Sequence, residues 1–243
     1  RALIERGAHG LHLVCVPIGG LQADMLIGAG CISCIETSAV TLGEYGAAPR
    51  FNDAVRNGKI RILDATCPAI YAGLQATEKG IPFLPLRGLI GSDILLHRSD
   101  WKRIANPYQA DDELVAIVAI QPDIALFHAP LGDRFGNVFV GTQRELMLMA
   151  HAAKQSLVTV ERLSESNLLE SETMAGAVIP ATYISGVALV PRGAAPLGFA
   201  SHYAEDAALL LEYTRAAQSA SGFDAFMQRW LGADSAQAVP LHV

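Results

Sequence analysis

Four short stretches carry residue types able to do chemistry: 17-PIGGLQAD-24, 37-TSAVTLGEYG-46, 87-RGLIGSD-93 and 126-LFHAPLGDRFGNVFVG-141. In the first, Gly19 and Gly20 expose backbone N–H groups just ahead of a helix. That arrangement can hold a carboxylate or phosphate, and it equally makes a tight strand-to-helix turn. The second stretch offers the hydroxyls and amides of Thr37 and Ser38 and places Glu44 between Gly43 and Gly46. A carboxylate on a glycine-flexed loop can serve as nucleophile or base, with a pKa set by its burial; a solvated loop charge has the same pattern. Glu36, at the end of the preceding apolar run, is the other carboxylate candidate. In the third stretch Gly88 and Gly91, around small Ser92, let backbone amides approach a ligand, and Arg87 can meet an anion. An ordinary surface loop reads the same way. In the fourth, Asp133, Gly136 and Asn137 are turn formers that bond their own backbone, so this corner is expected to join two strands and leave catalysis to other loops. His97, His128 and His202 pair with no Ser or Cys at a recognisable spacing, and no triad is built from them.

The elements that must position these residues alternate along the chain. Strand-like runs cover 11–16, 31–36, 60–63, 113–120, 123–129, 137–141, 157–163 and 184–191; helical stretches lie near 21–29, 47–57, 66–79, 143–154, 204–219 and 222–231. Runs that are apolar throughout, without alternation, indicate strands buried on both faces of a parallel sheet. The expectation is an α/β fold, a three-layer open, mainly parallel sheet flanked by helices, forming a single domain over 1–243. Strand ends of such a sheet are where ligands bind. Segment 81–112, rich in Gly, Pro, Asp and Arg, reads as a long irregular loop. At the start, 1-RALIERG-7 looks like a helix stopped by Gly7 and followed at once by the strand 11-LHLVCV-16, so the fold is expected to lack its first βα unit.

Composition narrows the function classes. With 51% apolar and 17% charged residues in 243, the chain can bury a large core. A net charge of −6 argues against a nucleic-acid partner. No apolar run reaches the roughly 18 to 20 residues that cross a bilayer, and no secretory leader pattern appears, which points to a soluble cytoplasmic protein without a membrane partner. Cys15, Cys31, Cys34 and Cys67 lie in apolar segments, so reduced core thiols are expected; Cys31 and Cys34 form a CxxC, but no second pair completes a zinc site. The stretch from Gly28 to Ser33 lacks the third glycine of a dinucleotide loop and precedes a strand, and there is no Walker loop, HExxH or GxSxG.

Taken in order, the segments resemble the α (A) subunits of the family I coenzyme A transferases, of the glutaconate and 3-oxoacid CoA-transferase type. The likeness rests on 127-FHAPLGDRFGNV-138, on 143-QRELMLMAHAAKQSLVTVERL-163 and on 178-VIPATYISGVALVPRGAAPLGFASHY-203, with 34-CIETSAVTLG-43 and 80-GIPFLPLRGLIGSD-93 upstream. It covers nearly the whole chain. Ala195 stands where a histidine is often found in that family. The resemblance implies transfer of CoA between an acyl-CoA and a carboxylic acid through a glutamyl-CoA thioester, with the nucleophilic glutamate on a partner β subunit. It also implies that this subunit supplies backbone donors around the acyl group, that a coenzyme A thioester is the substrate, and that no cofactor is permanently bound. Relatives resembling the ring-opening hydrolases of steroid catabolism offer a second reading, in which Glu44 or Glu36 activates water. A non-catalytic sugar-phosphate or effector-binding domain is a third, although the basic helix-turn-helix that usually adjoins such sensors is not visible.

Overall fold

The computed structural model describes residues 1–199 and 202–232, together with the backbone of 239–241. The chain forms two units. One comprises Arg1–Ala76, Pro82–Ala119 and Ala207–Asp234, the other Thr77–Ile81, Ile120–Asp206 and Ser235–Val243.

In the first unit β1 (Leu11–Val14) is followed by the short β2 (Ile18–Gly19), then β3 (Ile32–Thr37), the short β4 (Ala39–Val40) and β5 (Arg61–Asp64). β1, β3 and β5 lie side by side in parallel, and β2 pairs with β4 beyond their carboxyl ends. The helices Leu21–Gly28, Pro49–Arg56 and Cys67–Glu78 make the connections. Pro49 occupies a first-turn position, where its missing N–H is not needed. Gly30, at φ +74, ends the first of these connections in the left-handed conformation that an L side chain resists. The core gathers Cys15, Ala23, Ile27, Cys31 and fully buried Ile35. All four thiols are free; Cys15 and Cys31 lie in the core while Cys34 and Cys67 are partly exposed, and burial pushes the thiols of Cys15, Cys31 and Cys34 up.

Segment 81–112 and the run after it fold differently from the expectation. β6 (Phe83–Leu86) and β7 (Lys102–Ala105) each pair antiparallel with β8 (Glu113–Val118), in the order β6-β8-β7, so this is a small sheet in place of a long loop. The apolar β8 is central but not parallel. The signal was hidden because its partners are four-residue edge strands, one of them interrupted by Pro85, which only an edge tolerates. The helices Ala207–Ala216 and Ala220–Gly232 complete the unit. Tyr213 on the first of them donates to Asp24 Oδ2 at 2.7 Å, while the Phe51 amide donates to Oδ1 at 2.7 Å. Burial dominates there and raises the Asp24 carboxyl despite these bonds.

The second unit holds β9 (Ile124–Asp133), β10 (Val138–Phe139), β11 (Gln155–Ser164), β12 (Val178–Ile179), β13 (Gly186–Leu189) and β14 (Val239–Leu241), in the order β12-β10-β9-β11-β13-β14. β9, β11 and β13 run parallel, and the outer strands pair antiparallel. Helix Glu145–Ala152 buries Leu146 and Ala150 against Val158, Val160 and Val187. The α/β class with parallel sheets flanked by helices therefore holds, with the described strands distributed over four sheets. No described helix is long and apolar enough to cross a membrane.

The corner between β9 and β10 is organised by Asp133, which is fully buried. Its Oδ1 accepts the amides of Phe135 and Asn137, both at 2.9 Å; its Oδ2 accepts Asn137 Nδ2 at 2.8 Å and the Leu168 amide at 2.9 Å. Asn137 Oδ1 in turn accepts the Ala181 amide at 3.0 Å. These residues make a structural turn, as their types suggest. Asp133→Ala would strand several buried N–H groups, and urea denaturation is expected to show a loss of about 3 kcal/mol or more.

Candidate active site

At the carboxyl ends of β1 and β3 the loops are tied to one carbonyl. Pro17 O accepts the Ser38 amide at 3.1 Å and Ser38 Oγ at 3.0 Å. Thr37 Oγ1 donates to Ala39 O at 2.6 Å. Cys67, opening helix Cys67–Glu78, donates its thiol to Ser38 Oγ at 3.3 Å. Thr37 thus braces the turn with its hydroxyl, and Ser38 joins the ends of three successive connections. Gly19 is a packing glycine: a Cβ there would lie 2.9 Å from both Ala23 Cβ and Cys15 Sγ. Gly20 precedes the first turn of helix Leu21–Gly28 and is partly exposed.

The two carboxylate candidates fare differently. Glu36 is buried, and its Oε1 accepts Arg98 Nη2 at 2.7 Å. Arg98, 2% exposed, also reaches Asp64 O at 3.1 Å and both oxygens of Asp100, and its guanidinium lies over the Trp101 ring at 3.8 Å. A carboxylate committed to a buried guanidinium is not free to turn its lone pairs on a substrate, because breaking the pair would leave a buried charge uncompensated. Glu44 sits in the 3-10 turn Gly43–Tyr45, exposed, and no described residue bonds or pairs with its carboxylate. Arg87 is exposed and paired in two bonds with Asp112, which lifts the guanidinium and holds the Asp112 carboxyl below its ordinary value. Gly88 and Gly91 stand open, with no atom within 4 Å of a Cβ built at either, and Ser92 Oγ accepts the Ile94 amide at 3.2 Å. His97 ends the short helix Ile94–His97 and is exposed.

A second polar cluster lies in the other unit, along β9, β11 and the loop after β13. Glu161 Oε1 accepts His128 Nε2 at 2.6 Å and Tyr203 OH at 2.7 Å, and its Oε2 accepts the Arg192 amide at 2.8 Å. His128 Nδ1 meets Thr159 Oγ1 at 2.7 Å, and Tyr203 OH accepts the Ala194 amide at 3.0 Å. Burial alone would raise the Glu161 carboxyl, but the bonds from Tyr203, Arg192 and His128 outweigh it and hold it below the carboxylate range. Burial and the neighbouring carboxylate push the Tyr203 phenol up to about 12. Sequence reading sets His128 aside and misses Glu161, Tyr203 and Arg192. The register that places Thr159 beside His128 is what unites them, and it is a pairing between strands about thirty residues apart in sequence. His202 packs its ring on Phe199. Among the described residues no His, Cys, Asp and Glu side chains cluster in a way that could hold a metal ion.

No family model matches the chain. The A chain of the 3-oxoadipate CoA-transferase of Pseudomonas knackmussii is 30% identical over 236 residues, spanning 94% of this chain and 81% of that relative. The chain belongs to the CoA-transferase A-subunit family. Consistent with that membership, the solved glutaconate coenzyme A-transferase of Acidaminococcus fermentans matches this A-subunit fold with a TM-score of 0.85 at 25% identity, over 94% of this chain and 77% of that one. A cholesterol ring-cleaving hydrolase IpdA subunit of Rhodococcus jostii is 27% identical over 228 residues, covering 90% of this chain and 77% of its own.

Two measurements follow from these contacts. Glu36→Gln removes one partner of a buried pair, so denaturant unfolding should show a loss of about 3 kcal/mol; full retention of stability would instead free Glu36 for a chemical role. Because the folded Glu161 carboxyl lies below its unfolded value, its bonds stabilise the loop above the ordinary carboxylate pKa and are lost as pH falls through the folded one. The Arg192 amide resonance should accordingly shift as pH falls below the ordinary carboxylate range and stay fixed in Glu161→Gln.

Proposed function

We propose that this chain works in a heteromeric CoA-transferase that moves CoA from an acyl-CoA to a carboxylic acid, with the reacting glutamate on the partner β subunit. The observation that carries the reading is the state of the strand-end carboxylates: Glu36 is locked to Arg98, and Glu44 is exposed on its turn. The names of the relatives, which call them subunits, support a second chain.

In this mechanism the partner's glutamate attacks the thioester carbonyl, forming an acyl-glutamyl anhydride and releasing CoA thiolate. The thiolate then attacks the glutamyl carbonyl, giving the glutamyl-CoA thioester and the free acid. The incoming acid reverses both steps. The coenzyme A thioester is a substrate, and no bound cofactor is called for. Covalent catalysis divides one hard exchange into easier ones. The part assigned to this chain is positional: backbone amides at Gly20, Gly88 and Gly91 bordering the acyl group as donors to the oxyanion.

The IpdA relative and the unpaired Glu44 favour a second reading, hydrolysis of a CoA thioester with Glu44 taking a proton from water. Co-expression with the neighbouring open reading frame, incubation with acyl-CoAs and trapping with borohydride or hydroxylamine separates the two. A glutamyl-CoA adduct on the partner, found by mass spectrometry, is the expected outcome. CoA released without an acceptor acid, and with no adduct on either chain, would establish the hydrolase and predict at least a roughly 100-fold loss in Glu44→Ala.

A further inference from the structure

The loop after β13 is held with unusual firmness for so exposed a segment. Arg192 adopts φ +59, a left-handed conformation that a bulky L-residue rarely takes. Its amide is fixed on Glu161 and the Ala194 amide on Tyr203 OH, while Gly193 between them packs so closely on His128 that a Cβ would lie 2.6 Å from Cε1 and 2.9 Å from Val190 O. The Arg192 side chain is exposed and lies over the Tyr203 ring, its guanidinium carbon 4.8 Å from the centroid. No described carboxylate forms an ion pair with it. By contrast, the other candidate arginine, Arg87, is paired with Asp112. A buried carboxylate, a largely buried histidine and a close-packed glycine together set the position of one uncompensated guanidinium at the carboxyl end of a parallel strand, where ligands of such sheets bind. Backbone strain of this kind persists where the surroundings enforce it, and it concentrates at ligand-binding positions.

We propose that Arg192 is a preorganised receptor for an anionic group of the substrate. The planar guanidinium, stacked on Tyr203 and left with free N–H donors, suits an oxyanion accepted through two parallel bonds. In a CoA thioester that chemistry has two sources: a phosphate of the coenzyme, or a second carboxylate on the acyl chain. Glu161, His128 and Tyr203 are positioning residues that act through the backbone of residues 192–194. The inference rests on the CoA-thioester reading for the identity of the ligand, but the anion site itself is read from the geometry.

The test uses Arg192→Gly and Arg192→Gln in the complex with the partner chain. Glycine suits φ +59, so the Gly variant should keep the thermal stability of the parent while removing the guanidinium. KM for the anion-bearing substrate should rise roughly tenfold or more in both variants, the loss of a charge-assisted pair. A rise for every acyl-CoA, including those with uncharged acyl chains, assigns the site to a CoA phosphate; a rise confined to acyl chains with a second carboxylate assigns it to that group. Unchanged KM values across the panel overturn the proposal. Calorimetric titration with CoA and with glutarate keeps it separate from the transferase reading. Arg192-dependent binding of one probe without turnover would sink the transferase alone, and binding of both probes that ignores Arg192 would remove the receptor.

Discussion

The ion pair between Glu36 and Arg98 is the contact on which the strand-end loops of the first unit depend, because a carboxylate buried as Glu36 is needs a paired charge. Through Arg98 the segment after β6 is tied to the end of β3, to the Asp64 carbonyl at the end of β5 and to Trp101. The same interaction removes Glu36 from the groups free to react. Fixing the loops and engaging Glu36 are one physical fact seen from two sides.

The second unit repeats the device with hydrogen-bond donors. Asp133 and Glu161 are buried carboxylates whose lone pairs are filled by backbone amides and by the side chains of Asn137, Tyr203 and His128. A parallel sheet leaves amides without ladder partners where its strands end, and a carboxylate with about four acceptor sites meets several at once. Asp133 uses this capacity to close a corner. Glu161 uses it to hold a loop that displays Arg192. The residue types are similar; what separates scaffold from candidate receptor is whether a free functional group remains at the surface once the bonds are made.

A chain built this way offers a surround for a reaction more readily than a nucleophile. Its glycine-rich strand ends present backbone, the buried Glu36 is engaged, and the exposed Glu44 keeps a hydrolytic reading in view. Membership of the CoA-transferase A-subunit family accommodates both, since relatives of comparable similarity bear transferase and hydrolase names.

Local pattern was enough to place the six helices of eight residues or more to within a few residues and to find eight of the described strands, because helical periodicity, glycine stops and apolar runs are properties of contiguous residues. It was also enough to read Asp133, Gly136 and Asn137 as a turn, since their partners are mostly near neighbours. The edge strands β6 and β7 were not legible, being short, interrupted by polar residues and Pro85, and stabilised by pairing with β8. Nor was the fate of the individual site residues. Glu36 and Glu44 are eight positions apart and read alike in sequence, yet Arg98, sixty-two residues from Glu36, makes one of them a buried ion pair and leaves the other in solvent. Glu161, His128, Tyr203 and Arg192 meet only because β9 and β11 pair in one register and the loop after β13 folds back on them. Long-range register and charge pairing belong to the folded chain, and only the tertiary structure decides them.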